Sequence, residues 1–375
     1  MSGLELPPEA TGLITIDLAA LVRNWRTLAD LVAPSECGAV VKADAYGLGA
    51  ARVIPALAAA GCTTFFVATP GEAVAARALA PGARIFALDG LLYGAAETFV
   101  QANAIPVLSS LDDIDEWGAR ARQLRKRLPA ALQVDSGLHR LGLSGSDVGA
   151  LAADPKRLAT LDVRLVMSHL ACADDPDHPH NARQRTAFNR RRAQLPDAPA
   201  SLAASDGLML GGSYHFDLVR PGYALYGGQA FKGGPTPVAP VVTVEARVLQ
   251  VRTLKSGDTV GYSATWVAQR RTRLAIVAAG YADGVARALS AATGKGSGAV
   301  LVAGQRAPIV GRVSMDLITV DVTDVAGEVA RGDLVTLVGP GATLESLGRA
   351  AGTIGYEVLT RLGPRFARRY TGGPG

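Results

Sequence analysis

Short apolar runs alternate with stretches of helical pattern between residues 38 and 227. The eight apolar runs cover residues 38–43, 63–69, 84–89, 104–109, 130–136, 163–170, 201–205 and 217–227. Most of them are separated by alanine-rich or arginine-rich segments, such as residues 49–61 and 181–195. Buried strands that alternate with helices favour a (β/α)8 barrel, in which the chemistry lies at the carboxyl ends of the strands.

A doubly wound parallel sheet is the structural alternative for the same alternation. Such sheets often bind a dinucleotide at a G-x-G-x-x-G turn after the first strand. Here the turn after the first run reads "YGLGAA" (residues 46–51) and lacks the third glycine. The sequence therefore disfavours dinucleotide binding, and we predict the barrel.

The pattern changes after a segment rich in Gly and Pro, residues 232–240. The strand-like runs beyond it, with little helix between them, are residues 242–251, 273–280, 299–311, 316–325 and 333–339. We therefore predict an α/β chain with a (β/α)8 barrel over residues 12–235 and a mostly β domain over residues 236–375. We leave open that the first residues pack with the second domain.

Composition narrows the class of protein. Hydrophobic residues make up 49% and charged residues 19% of the 375 residues, which is enough for a large core. The net charge of +5 is modest, and the arginine-rich segments 119–128 and 189–194 lack interleaved aromatic residues, which disfavours nucleic-acid binding. Three scattered cysteines, no signal-peptide pattern and no apolar stretch of membrane-spanning length predict a protein of the reducing cytoplasm.

Five polar residues fall at the carboxyl ends of predicted barrel strands. Lys42 ends the first run, Arg140 follows the fifth, His169 ends the sixth, Ser205 ends the seventh and Arg220 lies on the eighth. Each could be an ordinary surface or ion-pairing residue if it stood alone. Because the carboxyl ends of barrel strands share one face, we expect these five to lie at one site.

Lys42 is the most informative of them, since only six of the 38 basic residues are lysines. Burial disfavours a charged ammonium, lowers its pKa and makes the amine nucleophilic. Pyridoxal phosphate is the commonest aldehyde partner of such a lysine, and its phosphate needs hydroxyl and backbone N–H donors. Candidate phosphate donors are Tyr46, Ser205, Gly222, Tyr223 and Tyr356.

At this point the chain resembles the alanine racemases. The resemblance begins at "VVKADAYGLG" (residues 40–49), which looks like the cofactor-lysine motif of that family. It continues in order through "VDSGLHRLGL", "SHLACADDPDHP", "RPGYALYG", "VGYSATW", "AAGYADGVAR", "GRVSMD" and "TIGYEVLTR", which ends at residue 361. Together these motifs are specific, whereas the lysine motif alone indicates only the wider class of barrel enzymes with this cofactor.

The resemblance implies a two-base racemase of L- and D-alanine that is a homodimer. Lys42 would carry pyridoxal phosphate and act as the base on one face of the amino acid. Tyr262, contributed by the other subunit, would be the base on the opposite face. Arg140 would contact the phenolic oxygen of the cofactor and the substrate carboxylate, and Met315 would contact the substrate from the other subunit.

The remaining implied roles concern the cofactor. Arg220 would face the pyridine nitrogen, and His169 would link it toward Tyr262. The phosphate would be held by Tyr46, Ser205, Gly222, Tyr223 and Tyr356. A phenol has an unperturbed pKa near 10, so a tyrosine base needs positive neighbours, and we expect the His169–Arg220 pair to supply them. The family role is to supply D-alanine for the bacterial cell wall.

Three rival functions of the same fold are a serine or broad-specificity racemase, a pyridoxal-phosphate decarboxylase and a non-catalytic carrier of the cofactor. Similar decarboxylases usually have an acidic residue where this chain has Arg220, and similar carriers usually lack the β domain with Tyr262. The racemase reading is therefore preferred.

The chain departs from the family pattern at two positions. Leu48 stands where histidine is frequent. Gln133 stands where many members have a lysine modified to a carbamate, so Arg140 needs another support, for which we consider a bound anion such as chloride. His178 and His180 form a loop pair without a nearby third ligand, so we predict no metal.

Overall fold

The computed structural model describes residues 6–292 and 298–373. The chain divides into two compact units. One is formed by Leu21–Ala239, and the other combines the N-terminal segment through Ala20 with the chain from Pro240 onward. Within the described residues, none of the helices is both long and apolar enough to cross a membrane.

The strands are short, as expected from the apolar runs. In chain order they are β1 (Gly12–Asp17), β2 (Glu36–Cys37), β3 (Ala39–Val40), β4 (Thr64–Val67), β5 (Arg84–Ala87), β6 (Ile105–Leu108), β7 (Leu128–Gln133), β8 (Leu161–Met167), β9 (Ala200–Ser201), β10 (Leu218–Val219), β11 (Val242–Leu254), β12 (Thr259–Val260), β13 (Trp266–Val267), β14 (Thr272–Val277), β15 (Ala299–Val302), β16 (Gln305–Pro308), β17 (Ile318–Asp321), β18 (Leu334–Val338) and β19 (Ala367–Thr371).

Helices follow most strands of the first unit and are fewer in the second. They are α1 (Leu18–Val32), α2 (Lys42–Gly47), α3 (Ala50–Ala59), α4 (Pro70–Leu79), α5 (Ala96–Ala102), α6 (Leu111–Gln123), α7 (Gly145–Ala153), α8 (His180–Arg192), α9 (Leu344–Ala350) and α10 (Gly355–Thr360). Several begin at a side-chain cap. Thr69 and Ser110, for example, each accept the backbone N–H of the third helical residue of α4 and α6.

The strands of the first unit form the predicted barrel. Strands β3 to β9 pair in parallel in chain order, and β10 pairs in parallel with β2, which continues into β3 through Gly38. The N–H groups of Gly38 and Val40 donate to the carbonyls of Val219 and Pro221 at 3.0 and 2.8 Å, and the N–H of Arg220 donates to the carbonyl of Ala203 at 3.0 Å. The eighth apolar run is thus hydrogen-bonded to both the first and the seventh, which closes the barrel.

Burial explains why these runs contain few polar residues. Every residue of β4 and β6 is buried, as expected for parallel strands covered on both faces. The rings of Phe66 on β4 and Phe86 on β5 stack with their centroids 5.0 Å apart. This contact packs two neighbouring barrel strands against each other.

The second unit is mostly β, as predicted, and is organised around β11. The first half of this long strand pairs with β1 and β18, and its second half pairs with β14, all antiparallel. Strand β19 adds to β1 in parallel. The register of β11 with β14 shifts between Val248 and Gln250, which marks an irregularity in that pairing.

Two details differ from the pattern-based expectation. The predicted barrel starts at residue 12, with the packing of the first residues on the second domain left open, and β1 pairs with β11 and β19 and lies in the second unit. The run 299–311 is an antiparallel hairpin, since β15 and β16 turn at Ala303 and Gly304, both with positive φ. A periodicity of two continues through such a tight turn, so the sequence pattern did not reveal it.

Candidate active site

Lys42 opens a left-handed turn directly after the first barrel strand. Ala43, Asp44, Ala45 and Tyr46 have φ between 53° and 58° and ψ between 34° and 51°, so the middle of α2 is one turn of left-handed helix, and none of these four residues is a glycine. This conformation costs roughly 1–2 kcal/mol per residue relative to the right-handed one. Strain of this kind persists only where the surroundings enforce it, and it is frequent at functional sites.

Hydrogen bonds hold the turn from both ends. The N–H of Ala45 donates to the carbonyl of Val41, and the N–H of Gly49 donates to the carbonyl of Asp44, each at 2.9 Å. The Asp44 carboxylate accepts the N–H of Ala50 at 2.7 Å and so joins the turn to the start of α3. The backbone conformation around Lys42 is therefore held by hydrogen bonds that do not involve the Lys42 side chain.

The Lys42 amine lies in a partly desolvated and positively charged environment. Burial lowers its pKa, and the nearby charge of Arg140 lowers it further, while Asp89 and Glu72 act in the opposite direction. Arg140 itself is exposed in the loop after β7. Lys42 is half-buried, and the direction of its pKa shift agrees with the expectation for a lysine at the end of a buried strand.

Arg220 is buried at the same end of the barrel. Its Nη2 donates to the carbonyl of Ser168 at 2.7 Å, and its Nη1 donates to the hydroxyl of Ser201. Burial lowers the pKa of Arg220 to about 9, which leaves the guanidinium charged at neutral pH. The structure therefore holds a permanent cation among neutral partners.

His169 lies beside this cation. Burial lowers the pKa of His169 to about 3, with further contributions from the charges of Arg220, Arg140 and Lys42, so the ring is neutral at neutral pH. Its Nδ1 is 3.4 Å from Nη2 of Arg220, and because a guanidinium only donates, Nδ1 accepts and the ring proton lies on Nε2. The positive charge of the pair is therefore on Arg220 alone, whereas the sequence analysis expected the His169–Arg220 pair to supply it.

A cradle of donors lies where the eighth strand ends. The Ser205 hydroxyl accepts the N–H groups of Gly222 and Ala224 at 3.0 and 3.1 Å. The Tyr46 hydroxyl approaches Gly222 so closely that a Cβ at this glycine would lie 2.2 Å from it. Hydroxyl and N–H donors that converge at a backbone lacking a side chain fit a phosphate group. Tyr223 is fully buried nearby, with its ring against Gly228.

Gln133 supports the loop of Arg140 directly. This amide is buried, and its Nε2 donates to the carbonyl of Leu141 at 3.0 Å. The side chain therefore holds the residue next to Arg140 without a carbamate. In a neighbouring loop, Nε2 of His180 lies 2.9 Å from the carbonyl oxygen of Gly137.

Gln184 on α8 positions His169 and was missed by the sequence reasoning. Its Nε2 donates to the His169 carbonyl at 3.0 Å and to the Ser136 hydroxyl at 3.3 Å, while its Oε1 accepts the N–H of Ala171 at 2.8 Å. The signal was available: Asn181, Gln184 and Phe188 recur at helical spacing and form the buried face of α8. A polar buried face on an otherwise basic helix indicates hydrogen bonds to a buried loop.

Tyr262 and Met315 belong to the second unit and lie on adjacent loops. Tyr262 is 71% exposed and Met315 is 53% exposed. A Cβ at Gly261 would lie 3.2 Å from the N atom of Arg312, so the turn of Tyr262 packs on backbone three residues before Met315. Two large side chains are thus presented to the surface by neighbouring segments.

The Met315 segment is fixed by the turn after β14. The N–H groups of Tyr281 and Ala282 donate to the carbonyls of Ser314 and Met315, each at 3.0 Å. A Cβ at Gly280 would lie 2.2 Å from the Met315 oxygen, so only glycine allows this approach. Tyr356, the third candidate of this unit, is the second residue of α10.

An ion-pair network stiffens the same segment. The carboxylate of Asp283 is buried, accepts the N–H of Gly280 at 2.9 Å and receives two hydrogen bonds from Arg365 at 2.7 Å. Arg365 also binds Asp316, the residue after Met315, at 2.6 Å. These contacts raise the pKa of Arg365 above its usual range. The sequence reasoning had singled out neither Asp283, which lies within the quoted motif "AAGYADGVAR", nor Arg365, which follows the motif "TIGYEVLTR".

Comparison with known proteins agrees with this geometry. Residues 16–230 match the family described as alanine racemase, N-terminal domain, and residues 241–370 match alanine racemase, C-terminal domain. An alanine racemase of Rhodospirillum rubrum is 46% identical over 97% of this chain and 96% of its own length. A catabolic alanine racemase of Agrobacterium fabrum is 48% identical over 96% of this chain and 92% of its own.

Solved structures agree as well. A crystal structure of alanine racemase from Bartonella henselae, with covalently bound pyridoxal phosphate, superimposes with a TM-score of 0.92 at 44% identity. The match covers 96% of this chain and 99% of that one. The barrel unit and the β unit match the two domains of a single family, and this chain belongs to the alanine racemase family.

Proposed function

We propose that this chain is an alanine racemase, a pyridoxal-phosphate-dependent isomerase that interconverts L-alanine and D-alanine. The observation that carries the proposal is the common location of the desolvated Lys42 amine, the Arg220 cation and the donor cradle at Ser205 and Gly222 at one end of the barrel. Family membership over nearly the whole chain supports alanine rather than serine or a broader set of substrates.

The residues fit the cofactor. The cradle of Tyr46, Ser205 and Gly222 would hold the phosphate, and the Lys42 amine would hold the aldehyde carbon covalently. When bound, pyridoxal phosphate withdraws electrons from the α-carbon of the amino acid and so acidifies its proton. Lys42 then moves a proton at Nζ on one face of that carbon. The phenolic oxygen of Tyr262 moves a proton on the other, because inversion in place requires two opposed bases.

Arg220 favours racemisation over the other reactions that the cofactor can support. Its guanidinium remains protonated at neutral pH, so it can donate a hydrogen bond to a pyridine nitrogen but cannot give it a proton. An unprotonated nitrogen withdraws electrons less strongly, which disfavours transamination and decarboxylation. The Nε2–H of the neutral His169 can donate to a tyrosine oxygen and stabilise its deprotonated form.

We also propose a homodimer in which the partner subunit's Tyr262 completes each barrel site. The exposure of Tyr262 and Met315 on adjacent loops supports this arrangement, since large side chains exposed together often mark an interface. We place the enzyme in the cytoplasm, supplying D-alanine for peptidoglycan.

Loss of optical rotation tests the function. Purified protein with pyridoxal phosphate and L-alanine should bring the rotation to zero, and the same final mixture should form from D-alanine. Expression in a bacterium that requires added D-alanine should remove this requirement. Unchanged rotation in the presence of bound cofactor would refute the activity, and rotation lost faster with L-serine than with L-alanine would favour the broad-specificity alternative.

Gly222→Ala should weaken cofactor binding by at least about tenfold. The new Cβ would lie 2.2 Å from the Tyr46 hydroxyl and 3.2 Å from Cβ of Val40, so the tyrosine must leave the cradle. Losing one hydrogen bond to a charged group accounts for an effect of about this size. Titration of the full-length protein with pyridoxal phosphate, followed by absorbance, measures the change. Gly82→Ala is the control, because no atom lies within 4 Å of a Cβ at that position and its φ is not positive.

A further inference from the structure

The sequence around α4 predicts an ordinary capping box that the structure does not form. Thr69 is the N-cap and Glu72 is the third residue of the helix, and the N–H of Glu72 donates to the Thr69 hydroxyl at 3.2 Å. In a capping box the Glu72 carboxylate would accept the N–H of Thr69 in return. Instead, Oε2 accepts the N–H of Ala68 at 2.7 Å and Oε1 accepts the N–H of Ala43 at 2.8 Å.

The second of these contacts is long-range. Ala43 lies 29 residues before Glu72 and is the first residue of the left-handed turn, directly after Lys42. Ala68 directly follows β4, so the carboxylate bridges the carboxyl ends of the first two barrel strands. One side chain therefore joins the backbone at Lys42 to the neighbouring strand.

Two other helices show which local contacts an acidic residue at the third helical position makes. At α7, Asp147 completes a true capping box with Ser144. At α6, Asp113 occupies the same third position as Glu72, and its carboxylate accepts the N–H of Ser109, which precedes the Ser110 cap, at 2.8 Å. Asp113 and Glu72 thus each accept the N–H of the residue that precedes the cap of their own helix. Only Glu72 of the two also accepts the N–H of Ala43.

We propose that Glu72 is a positioning residue of the racemase, which holds the left-handed turn through the Ala43 N–H and thereby orients Lys42 toward cofactor and substrate. The four residues of the turn all adopt a conformation that L residues disfavour, so the turn needs contacts from outside itself. The bonds from Ala45, Gly49 and Ala50 fix its middle and end, and Glu72 fixes its start. The proposal rests on the proposed role of Lys42 as the cofactor-binding base.

Two substitutions separate this role from helix capping. Glu72→Gln retains the size of the side chain, but its amide has only one acceptor oxygen for two N–H donors and turns an NH2 group toward the other. Glu72→Asp keeps the charge and, as Asp113 shows, can still accept the N–H that precedes the cap, but it is one methylene too short to reach Ala43 as well. Asp113→Asn is the matched control, because it alters the shared capping contact without involving the lysine turn.

Hydrogen exchange, cofactor affinity and kinetics should be measured on the full-length proteins. In both Glu72 variants we expect the amides of residues 43–50 to exchange about tenfold faster, and pyridoxal phosphate to bind about tenfold more weakly. We expect kcat to fall about tenfold with KM for alanine within about twofold, because the substrate contacts are unchanged. Asp113→Asn should match the wild type in residues 43–50, in cofactor affinity and in kcat.

The outcomes separate this proposal from the proposed function. If both Glu72 variants match Asp113→Asn in the exchange of residues 43–50 and in cofactor affinity, Glu72 only caps its helix and the proposal is wrong. If Glu72→Asp alone behaves as the wild type, the charge matters rather than the reach to Ala43, and the proposal is again wrong. A wild-type protein that binds no cofactor at Lys42 would refute the proposed function, while hydrogen exchange without cofactor would still decide the role of Glu72.

Discussion

Replacing Lys42 by Ala should lower racemisation by about 10⁴-fold or more. In the proposed mechanism, the substitution removes both the amine that holds the cofactor and one of the two bases, and a single general base alone contributes about 10²–10⁴-fold. Rotation of L-alanine and of D-alanine measured with excess pyridoxal phosphate should give the same loss. Lys126→Ala is the control, since that lysine is exposed on the barrel unit and should leave the rate unchanged.

Chemical mapping tests the role of Lys42 without a measurement of activity. After borohydride reduction of the wild-type protein with bound cofactor, mass analysis should place the adduct on Lys42 and on no other lysine. An adduct on Lys255 of the second unit, or full activity of Lys42→Ala, would contradict the site. Because burial and Arg140 lower the pKa of Lys42, a larger fraction of its amine is neutral at any given pH than for an exposed lysine. Labelling at Lys42 should therefore persist to lower pH than is expected for a lysine of ordinary pKa.

The barrel could be predicted from the sequence because its strands are buried on both faces. Strands such as β4 and β6 contain no exposed residue, so they read as uninterrupted apolar runs. The expectation that Lys42, His169 and Arg220 share one face followed from that assignment, because Lys42 and His169 end their runs and Arg220 lies on the eighth run. Strand β1 was placed differently because its partners β11 and β19 lie more than 200 residues along the chain, and no local pattern encodes such a pairing.

The conformation around Lys42 could not be predicted from local sequence. Ala43 and Ala45 favour right-handed helix, and the glycines that usually mark positive φ, Gly47 and Gly49, come only after the strained residues. The turn is left-handed because contacts from elsewhere select it, among them the carboxylate of Glu72. The helical spacing of Gln184 with Asn181 and Phe188 was visible in the sequence, but its partner, the His169 carbonyl, lies in another segment that no local pattern identifies.

A mixture of two inactive variants should recover roughly a quarter of wild-type activity. If the partner subunit's Tyr262 completes each site, a Lys42→Ala homodimer lacks one base in both sites and a Tyr262→Phe homodimer lacks the other. In a mixed dimer, one site contains both mutations and the other contains neither. Random pairing makes about half of the dimers mixed, and each has one working site of two, which gives roughly a quarter of the wild-type sites.

The experiment requires that subunits exchange, so the two chains should carry different tags and be dissociated, mixed and reassembled. Doubly tagged dimers are then isolated and counted by mass before the assay, and should show about half the wild-type rate per dimer. A Lys42→Ala, Tyr262→Phe double variant mixed with wild type is the control, because there each mixed dimer has one mutation in each site and should be nearly inactive. If isolated mixed dimers of the single variants are inactive while the control dimers keep half the rate, both bases belong to one chain. The exposure of Tyr262 would then need another explanation, because a catalytic tyrosine within its own chain's site would be shielded by that chain.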